Sequence, residues 1–185
     1  MTVSLRSLVR ASLFLALAVA VSVLFRFTAT LVPFSLLPLV VLLCGLTLTP
    51  KESFLAMFGY LLLGLLGLPV FATPPFGGVG YLLKPTFGFI LGFVVSAPLL
   101  SFFLHRQKSR SFWTLLGFSL LGLLFLYPLG LFYLYIIMKV VGKPLTAYQV
   151  FQVGLFPFIG FDVLKAFLAA AVSFRMRERM TGGGK

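Results

Sequence analysis

The sequence predicts an all-α integral membrane protein with six transmembrane helices and structured loops on the outer face. Hydrophobic residues make up 61% of its 185 residues and charged residues only 10%. Apolar runs close to the length that crosses a bilayer, about 20 residues, recur from end to end. The polar segments are too short for a soluble catalytic domain. We therefore expect one membrane domain over residues 1–180, followed at residues 181–185 by a flexible tail or a cloning remnant.

Six apolar runs define the predicted helices. The first follows Arg6 and Arg10, and we interpret it as a retained helix because no small-residue cleavage site precedes Arg26. No internal repeat is evident among the six. The predicted helices cover residues 8–25, 32–48, 54–70, 87–104, 112–138 and 161–174.

The fifteen Lys and Arg residues predict the orientation in the membrane. If both termini are cytoplasmic, ten of them lie inside and four outside, which is the asymmetry of the positive-inside rule. Because this role accounts for the net charge of +12, nucleic-acid binding is not expected. The inside set is Arg6, Arg10, Lys51, Arg106, Lys108, Arg110, Arg175, Arg177, Arg179 and Lys185, and the outside set is Arg26, Lys84, Lys139 and Lys143.

The sequence lacks the motifs of the common catalytic, metal-binding and ATP-binding sites. It contains neither HExxH nor GxSxG, and its single histidine, His105, falls in a basic inner loop. The single Cys44 forms no metal-ligand cluster and no internal disulfide. No GxxxxGK[ST] loop is present, so any ATP must be hydrolysed by a partner. We expect a protein that is not an enzyme and has no cofactor or metal.

Asp162 and Lys165 lie in the last apolar run of a chain with only three acidic residues. A charge at the centre of a bilayer costs about 2.5–3.5 kcal/mol, so such groups pair, line a cavity or bind something polar. Residues three apart share one face of a helix. The pair is the first candidate for a functional site, with mutual neutralisation in a structural bundle as the alternative.

Two long connections on the predicted outer face are too apolar to be simple linkers. Residues 67–86 combine several Pro and Gly with Phe71 and Tyr81, which predicts a compact lid over the helices. In the second connection, residues 148–156 predict a short interfacial helix that is ended by Pro157 and Gly160. That ending would place the carboxylate at position 162 in the first turn of the last helix, near the positive end of the macrodipole.

Small residues recur every four positions on the first helix, at Ser12, Ala16 and Ala20. Such a stripe allows another helix to approach closely in a membrane. The partner helix belongs either to this chain or to another subunit.

Several short motifs occur in order along nearly the whole chain. They are Val32-Pro33-Phe34-Ser35, Tyr60-Leu61-Leu62-Leu63-Gly64, Gly67-Leu68-Pro69-Val70-Phe71-Ala72, Gly77-Gly78, Pro85-Thr86, and Gly160-Phe161-Asp162-Val163-Leu164-Lys165-Ala166. Together these motifs resemble the biotin transporter family BioY. One departure is Lys84-Pro85-Thr86-Phe87-Gly88-Phe89, where the family commonly has Gly-Pro-Thr-Gly-Gly-Tyr.

The resemblance implies biotin uptake by the substrate-capture (S) subunit of an energy-coupling factor (ECF) ABC transporter. Such a subunit lies in the bacterial inner membrane and works with a transmembrane coupling subunit and two cytoplasmic ATPases. The small-residue stripe Ser12, Ala16 and Ala20 would be the docking face for the coupling subunit. An S component for another small vitamin, or a structural or intramembrane protein without a transport role, is the alternative.

Biotin has a ureido ring, an apolar thioether ring and chain, and a terminal carboxylate. Asp162 is suited to accept the ureido hydrogens, and Lys165 to neutralise the carboxylate or donate to a polar oxygen. The sequence does not decide which end of biotin each residue meets. The full set of candidate substrate-binding residues is Asp162, Lys165, Gly160, Thr86, Tyr81, Gly77, Gly78, Phe71 and Phe89.

Overall fold

The computed structural model describes residues 4–26 and 35–182, and these ranges hold seven α-helices and one short 3-10 helix. They contain no β-strand, so the all-α prediction is confirmed for them. The α-helices are α1 (Leu5–Leu24), α2 (Leu37–Thr47), α3 (Pro50–Leu65), α4 (Phe87–His105), α5 (Phe112–Val140), α6 (Ala147–Gly154) and α7 (Phe156–Gly182), and the 3-10 helix is Val79–Leu83.

Four of these helices, α1, α4, α5 and α7, are long and apolar enough to cross a membrane. The helices α2 and α3 are shorter, with 11 and 16 residues. The predicted start of the second helix, residue 32, lies outside the described residues. The remaining helix, α6, has eight residues and matches the short helix predicted at 148–156.

The helix α3 begins four residues before the start that hydropathy predicts, because a capping box fixes its first turn. The Thr49 side chain accepts a hydrogen bond from the Glu52 N–H at 3.4 Å, and the Glu52 carboxylate accepts one from the Thr49 N–H at 2.9 Å. The helix ends at Leu65, before residue 70, because Gly67 adopts a φ of +97° that reverses the chain. The prediction of a helix over residues 54–70 was therefore wrong at both ends.

The prediction that Pro157 and Gly160 separate the short helix from the last one was also wrong. The helix α7 begins at Phe156 and runs through both residues. Proline is tolerated there because the first N–H groups of a helix have no helical acceptor. Asp162 consequently lies in the second turn of α7, and the macrodipole at the helix N-terminus does not explain its charge.

The helix α2 lies at the centre of the bundle, where it contacts α1, α3, α4, α5 and α7. Its sequence is apolar on all sides, which is typical of a helix surrounded by protein. The helices α4 and α5 approach closely at Gly92 of α4, which has no side chain to keep them apart. A Cβ added to Gly92 would lie 2.7 Å from the Leu126 carbonyl oxygen.

Polar side chains from three helices satisfy carbonyl groups at the C-terminal end of α2. Ser101 of α4 donates to the Leu48 carbonyl at 2.6 Å, and Ser53 of α3 donates to the Cys44 carbonyl at 3.2 Å. Arg177 of α7 reaches another carbonyl of the same turn at 3.4 Å. The Cys44 carbonyl also accepts the Leu48 N–H at 3.0 Å, whereas the other two carbonyls lie beyond the last helical donor and depend on these side chains. The three bonds fasten α2 to its neighbours.

The bundle has two distinct ends. We call one the loop end, because it carries Arg26 and the segment of residues 67–86, hereafter the cavity loop. The opposite, basic end carries the α2–α3 turn and the α4–α5 connection. The described Lys and Arg residues that were assigned to the inside all belong to the basic end: Arg6, Arg10, Lys51, Arg106, Lys108, Arg110, Arg175, Arg177 and Arg179.

Candidate functional site

A cavity of about 320 Å³ lies at the loop end of the bundle. Its volume falls within the range of small-molecule sites, about 300–1,000 Å³. Residues of α2, α3, α4, α5, α6, α7 and the cavity loop form its walls, together with Phe25 after α1 and Ser35 before α2. The apolar part of the lining consists of Phe25, Leu37, Pro38, Ala72, Pro85, Phe89, Ile90, Phe93, Leu126, Leu134, Val153 and Phe158.

A charged cluster of three side chains lines this cavity. The Lys165 ammonium donates to one oxygen of Asp162 at 2.5 Å, and the Tyr127 hydroxyl donates to the other oxygen at 2.6 Å. Asp162 and Lys165 are each only 4% exposed. The spacing of three residues places both charges on one face of α7, as predicted, while Tyr127 reaches them from α5.

The charged cluster can both accept and donate hydrogen bonds. A carboxylate has about four acceptor sites, and the bonds from Lys165 and Tyr127 to Asp162 occupy two of them. The positive charge of the ammonium balances the carboxylate, which lowers the cost of burying both. The cluster therefore suits a ligand group that carries N–H donors and a carbonyl or carboxylate oxygen.

A second, uncharged cluster of hydroxyl groups lines the same cavity. The Tyr81 hydroxyl shares hydrogen bonds with Thr73 Oγ1 at 2.8 Å and with Thr86 Oγ1 at 3.2 Å. The Tyr81 side chain is almost fully buried, so its position is fixed by the loop around it. Within residues 4–26 and 35–182, no group of three or more His, Cys, Asp or Glu side chains is placed to hold a metal ion.

The structure brings five of the nine candidate substrate-binding residues together. They come from three parts of the chain, namely the cavity loop, α4 and α7. The cavity is lined by Asp162, Lys165, Thr86, Tyr81 and Phe89, whereas Phe71, Gly77, Gly78 and Gly160 do not belong to its lining.

Three of the four residues outside the lining build the cavity loop instead. Phe71 is fully buried behind the cavity wall. Gly77 packs so closely that a Cβ would overlap a loop carbonyl, and the Gly78 N–H donates to the Gly64 carbonyl at 2.6 Å. Gly78 also has a φ of +85°, which favours glycine. Gly160 lies on α7 with an exposed surface.

Sequence reasoning did not identify Tyr127. Tyrosines of membrane proteins concentrate at the two interfaces, but Tyr127 lies near the middle of α5. A hydroxyl at that depth lacks water and needs a protein partner. The position of Tyr127 within an apolar run could therefore have indicated that its hydroxyl has a protein partner. The identity of that partner, Asp162 on α7, depends on the tertiary fold.

The small-residue stripe of α1 faces away from the rest of the described chain. Ser12, Ala16 and Ala20 are exposed, whereas Ala11 and Ala18 on the other side of the helix are buried. Packing against this chain's own described helices therefore does not explain the stripe. The stripe is available to another subunit or to lipid.

Comparison with known proteins gives consistent results at three levels. The model of the BioY family matches residues 1–182. The biotin transporter BioY of Thermotoga maritima is 34% identical over 174 residues, which cover 94% of this chain and 97% of the relative. A probable biotin transporter BioY of Lysinibacillus sphaericus is 32% identical over 92% of this chain and 86% of that protein.

The fold also matches a crystal structure of the S-component for biotin from an ECF-type ABC transporter. The TM-score is 0.74, the sequence identity is 24%, and the match covers 96% of this chain and 95% of the other. This likeness establishes a shared helical membrane fold. Together with the full-length family match and the curated relatives, it leads to one conclusion: the chain belongs to the BioY family.

Proposed function

We propose that the protein binds biotin in the loop-end cavity and serves as the substrate-capture subunit of an ECF-type ABC transporter. The observation that carries this proposal is the buried Asp162–Lys165 pair, which lies in the Gly-x-Asp-x-x-Lys-Ala motif and lines a cavity of small-molecule size. A purely structural ion pair has no need of such a cavity. The curated relatives are named biotin transporters, which supports biotin as the ligand.

The chemistry of biotin fits the two polar clusters and the walls between them. Asp162 has acceptor sites for the ureido N–H groups, and Lys165 provides N–H donors for the ureido carbonyl or the tail carboxylate. The aromatic and aliphatic lining suits the thioether ring and the valeryl chain. The hydroxyl cluster around Tyr81 provides a second set of neutral donors and acceptors.

The proposal includes the membrane arrangement. The helices α1, α2, α3, α4, α5 and α7 are the six transmembrane elements, and α6 lies at the membrane interface. Both termini and the basic end face the cytoplasm of a bacterial inner membrane, in line with the positive-inside rule. The cavity then opens toward the outer face, where the cavity loop acts as a lid over captured ligand.

Energy for uptake comes from partner subunits in this proposal. The chain has no P-loop, so two cytoplasmic ATPases and a transmembrane coupling subunit would supply the power stroke. The exposed stripe Ser12, Ala16 and Ala20 is the face that would dock the coupling subunit, because small side chains permit close helix contact.

Equilibrium binding of radiolabelled biotin to the purified protein tests the proposal. We expect saturable binding at one site, displaced by unlabelled biotin and by no other water-soluble vitamin at the same concentration. Displacement by another vitamin would assign the cavity to that ligand. A folded protein without saturable binding to any vitamin would favour a structural role.

A further inference from the structure

The C-terminal end of α1 is tied directly to the cavity loop by Arg26. The guanidinium Nε donates to the Phe71 carbonyl at 3.0 Å, and a second guanidinium N–H donates to the Pro69 carbonyl. The same group lies 4.5 Å from the centroid of the Phe76 ring, in a cation–π contact. One side chain therefore contacts the loop at three places.

A second connection runs through Tyr60 of α3. Ser22 of α1 shares a hydrogen bond with the Tyr60 hydroxyl at 3.0 Å, and that hydroxyl donates to the Val70 carbonyl at 3.2 Å. Ser22 and Tyr60 are both buried. Three consecutive loop carbonyls, at residues 69–71, are thus held by α1 either directly or through one tyrosine.

The held segment forms the support of the cavity wall. Phe71 packs against the Tyr81 ring with centroids 4.3 Å apart, and its N–H donates to the Phe76 carbonyl at 2.8 Å. Tyr81 in turn holds Thr73 and Thr86, and all three line the cavity. The segment that α1 holds is therefore in direct contact with the hydroxyl cluster.

We infer that Arg26 is a positioning residue that fixes the cavity loop to α1 and sets the rate at which ligand leaves the cavity. This role differs from that of a lipid anchor, which is common for a cation near the end of a membrane helix. A guanidinium is suited to the task because its planar fork reaches two carbonyls and also stacks on a ring, whereas an ammonium cannot do both. Without Arg26, two carbonyls lose a charge-assisted bond and the loop opens more often.

Hydrogen exchange of the full-length protein in detergent, without ligand, tests the loop directly. In Arg26→Gln we expect amides of residues 68–78 to exchange at least about tenfold faster, because two charge-assisted hydrogen bonds to the loop are lost, with α2 and α4 unchanged. Lys84→Gln, which removes an exposed cation at the same end, is the matched control and should match the wild type. Unchanged exchange in Arg26→Gln would overturn the inference.

One variant separates the planar geometry of the guanidinium from its positive charge, and another tests the second connection. Arg26→Lys should exchange as fast as Arg26→Gln, and wild-type protection in Arg26→Lys would contradict the role of the fork. If Arg26→Gln does not fold, Ser22→Ala removes the second connection and should speed exchange in the same residues by a smaller factor. Unchanged exchange in Ser22→Ala would then count against the link between α1 and the loop.

The effect on the ligand rests on the proposed function and is measured separately. After saturation with radiolabelled biotin, a chase with unlabelled biotin should release label about tenfold faster from Arg26→Gln than from the wild type, with an unchanged number of sites. Equal release rates would contradict the part of the inference that concerns ligand escape. If the wild type does not bind biotin, the proposed function fails, and the exchange experiment still decides the role of Arg26.

Discussion

Tyr127 of α5 donates a 2.6 Å hydrogen bond to Asp162 of α7, across 35 residues of sequence. With Lys165 bonded to the other carboxylate oxygen, Asp162 is held from two helices at once. A carboxylate held in this way is oriented before the ligand arrives, so binding loses less side-chain freedom. Tyr127 therefore belongs to the site, although it lies outside the Gly-x-Asp-x-x-Lys-Ala motif on α7.

Replacement of Tyr127 tests this orientation. In Tyr127→Phe we expect biotin affinity to fall about tenfold, because a hydrogen bond to a charged group contributes about 1.5–3 kcal/mol and part of that loss appears in binding. Titration calorimetry measures the change. Tyr148→Phe, at an exposed tyrosine of α6, is the control and should bind as the wild type does. Equal affinity of Tyr127→Phe and the wild type would show that the bond does not prepare the site.

Bulk added to the small-residue stripe of α1 should separate capture from transport. We expect Ala16→Leu and Ala20→Leu to bind biotin normally in detergent but to abolish uptake in cells that contain the partner subunits, because a larger side chain prevents close helix contact. Gly117→Leu places similar bulk on an exposed face of α5 and should support normal uptake. Loss of binding in the α1 variants would contradict a docking role.

Gly64 of α3 packs against the Phe71 ring of the cavity loop. A Cβ at this position would overlap the Phe71 ring, which is fully buried against Tyr81. Gly64→Ala should therefore displace the loop, with an overpacking cost of about 1–3 kcal/mol that appears as a lower melting temperature and weaker biotin binding. Gly80→Ala, where a Cβ meets nothing within 4 Å, is the matched control. Wild-type biotin binding by Gly64→Ala would mean that the Phe71 ring can move without disturbing the cavity.

The basic end should contribute to stability without affecting the site. Ser101→Ala leaves the buried Leu48 carbonyl without its 2.6 Å donor, at a cost of about 1 kcal/mol. We expect a lower melting temperature and an unchanged dissociation constant for biotin. Ser109→Ala, at an exposed position of the same end, should change neither quantity. A weaker dissociation constant in Ser101→Ala would show that the two ends are coupled.

Hydropathy was sufficient to predict the helices that are long and apolar throughout. The predicted range 87–104 agrees with α4, Phe87–His105, to within one residue. The agreement is expected, because a long apolar run that crosses a bilayer must form a helix to satisfy its backbone hydrogen bonds. The start of α3 was missed because its first turn is polar and is fixed by the Thr49 capping box. For such a helix the capping residues are better evidence than apolarity.

The candidate site was predictable where its chemistry is local in sequence. Asp162 and Lys165 are three residues apart, so helical periodicity alone places them on one face. Tyr127 and Arg26 were not identified in these roles, because their bonds join parts of the chain far apart in sequence. Similarly, the composition of residues 67–86 predicts a compact loop but not that Phe71 is buried outside the cavity lining.

The most direct test of the account is a comparison of biotin binding by the wild type, Asp162→Asn and Lys165→Ala under identical conditions. We expect tight, saturable binding by the wild type and a loss of about a hundredfold or more in each variant, because removal of one partner of a buried charge pair costs about 2–5 kcal/mol. Melting temperature and circular dichroism check that the variants are folded. Folded variants that bind biotin as tightly as the wild type would contradict the assignment of this cavity as the biotin site.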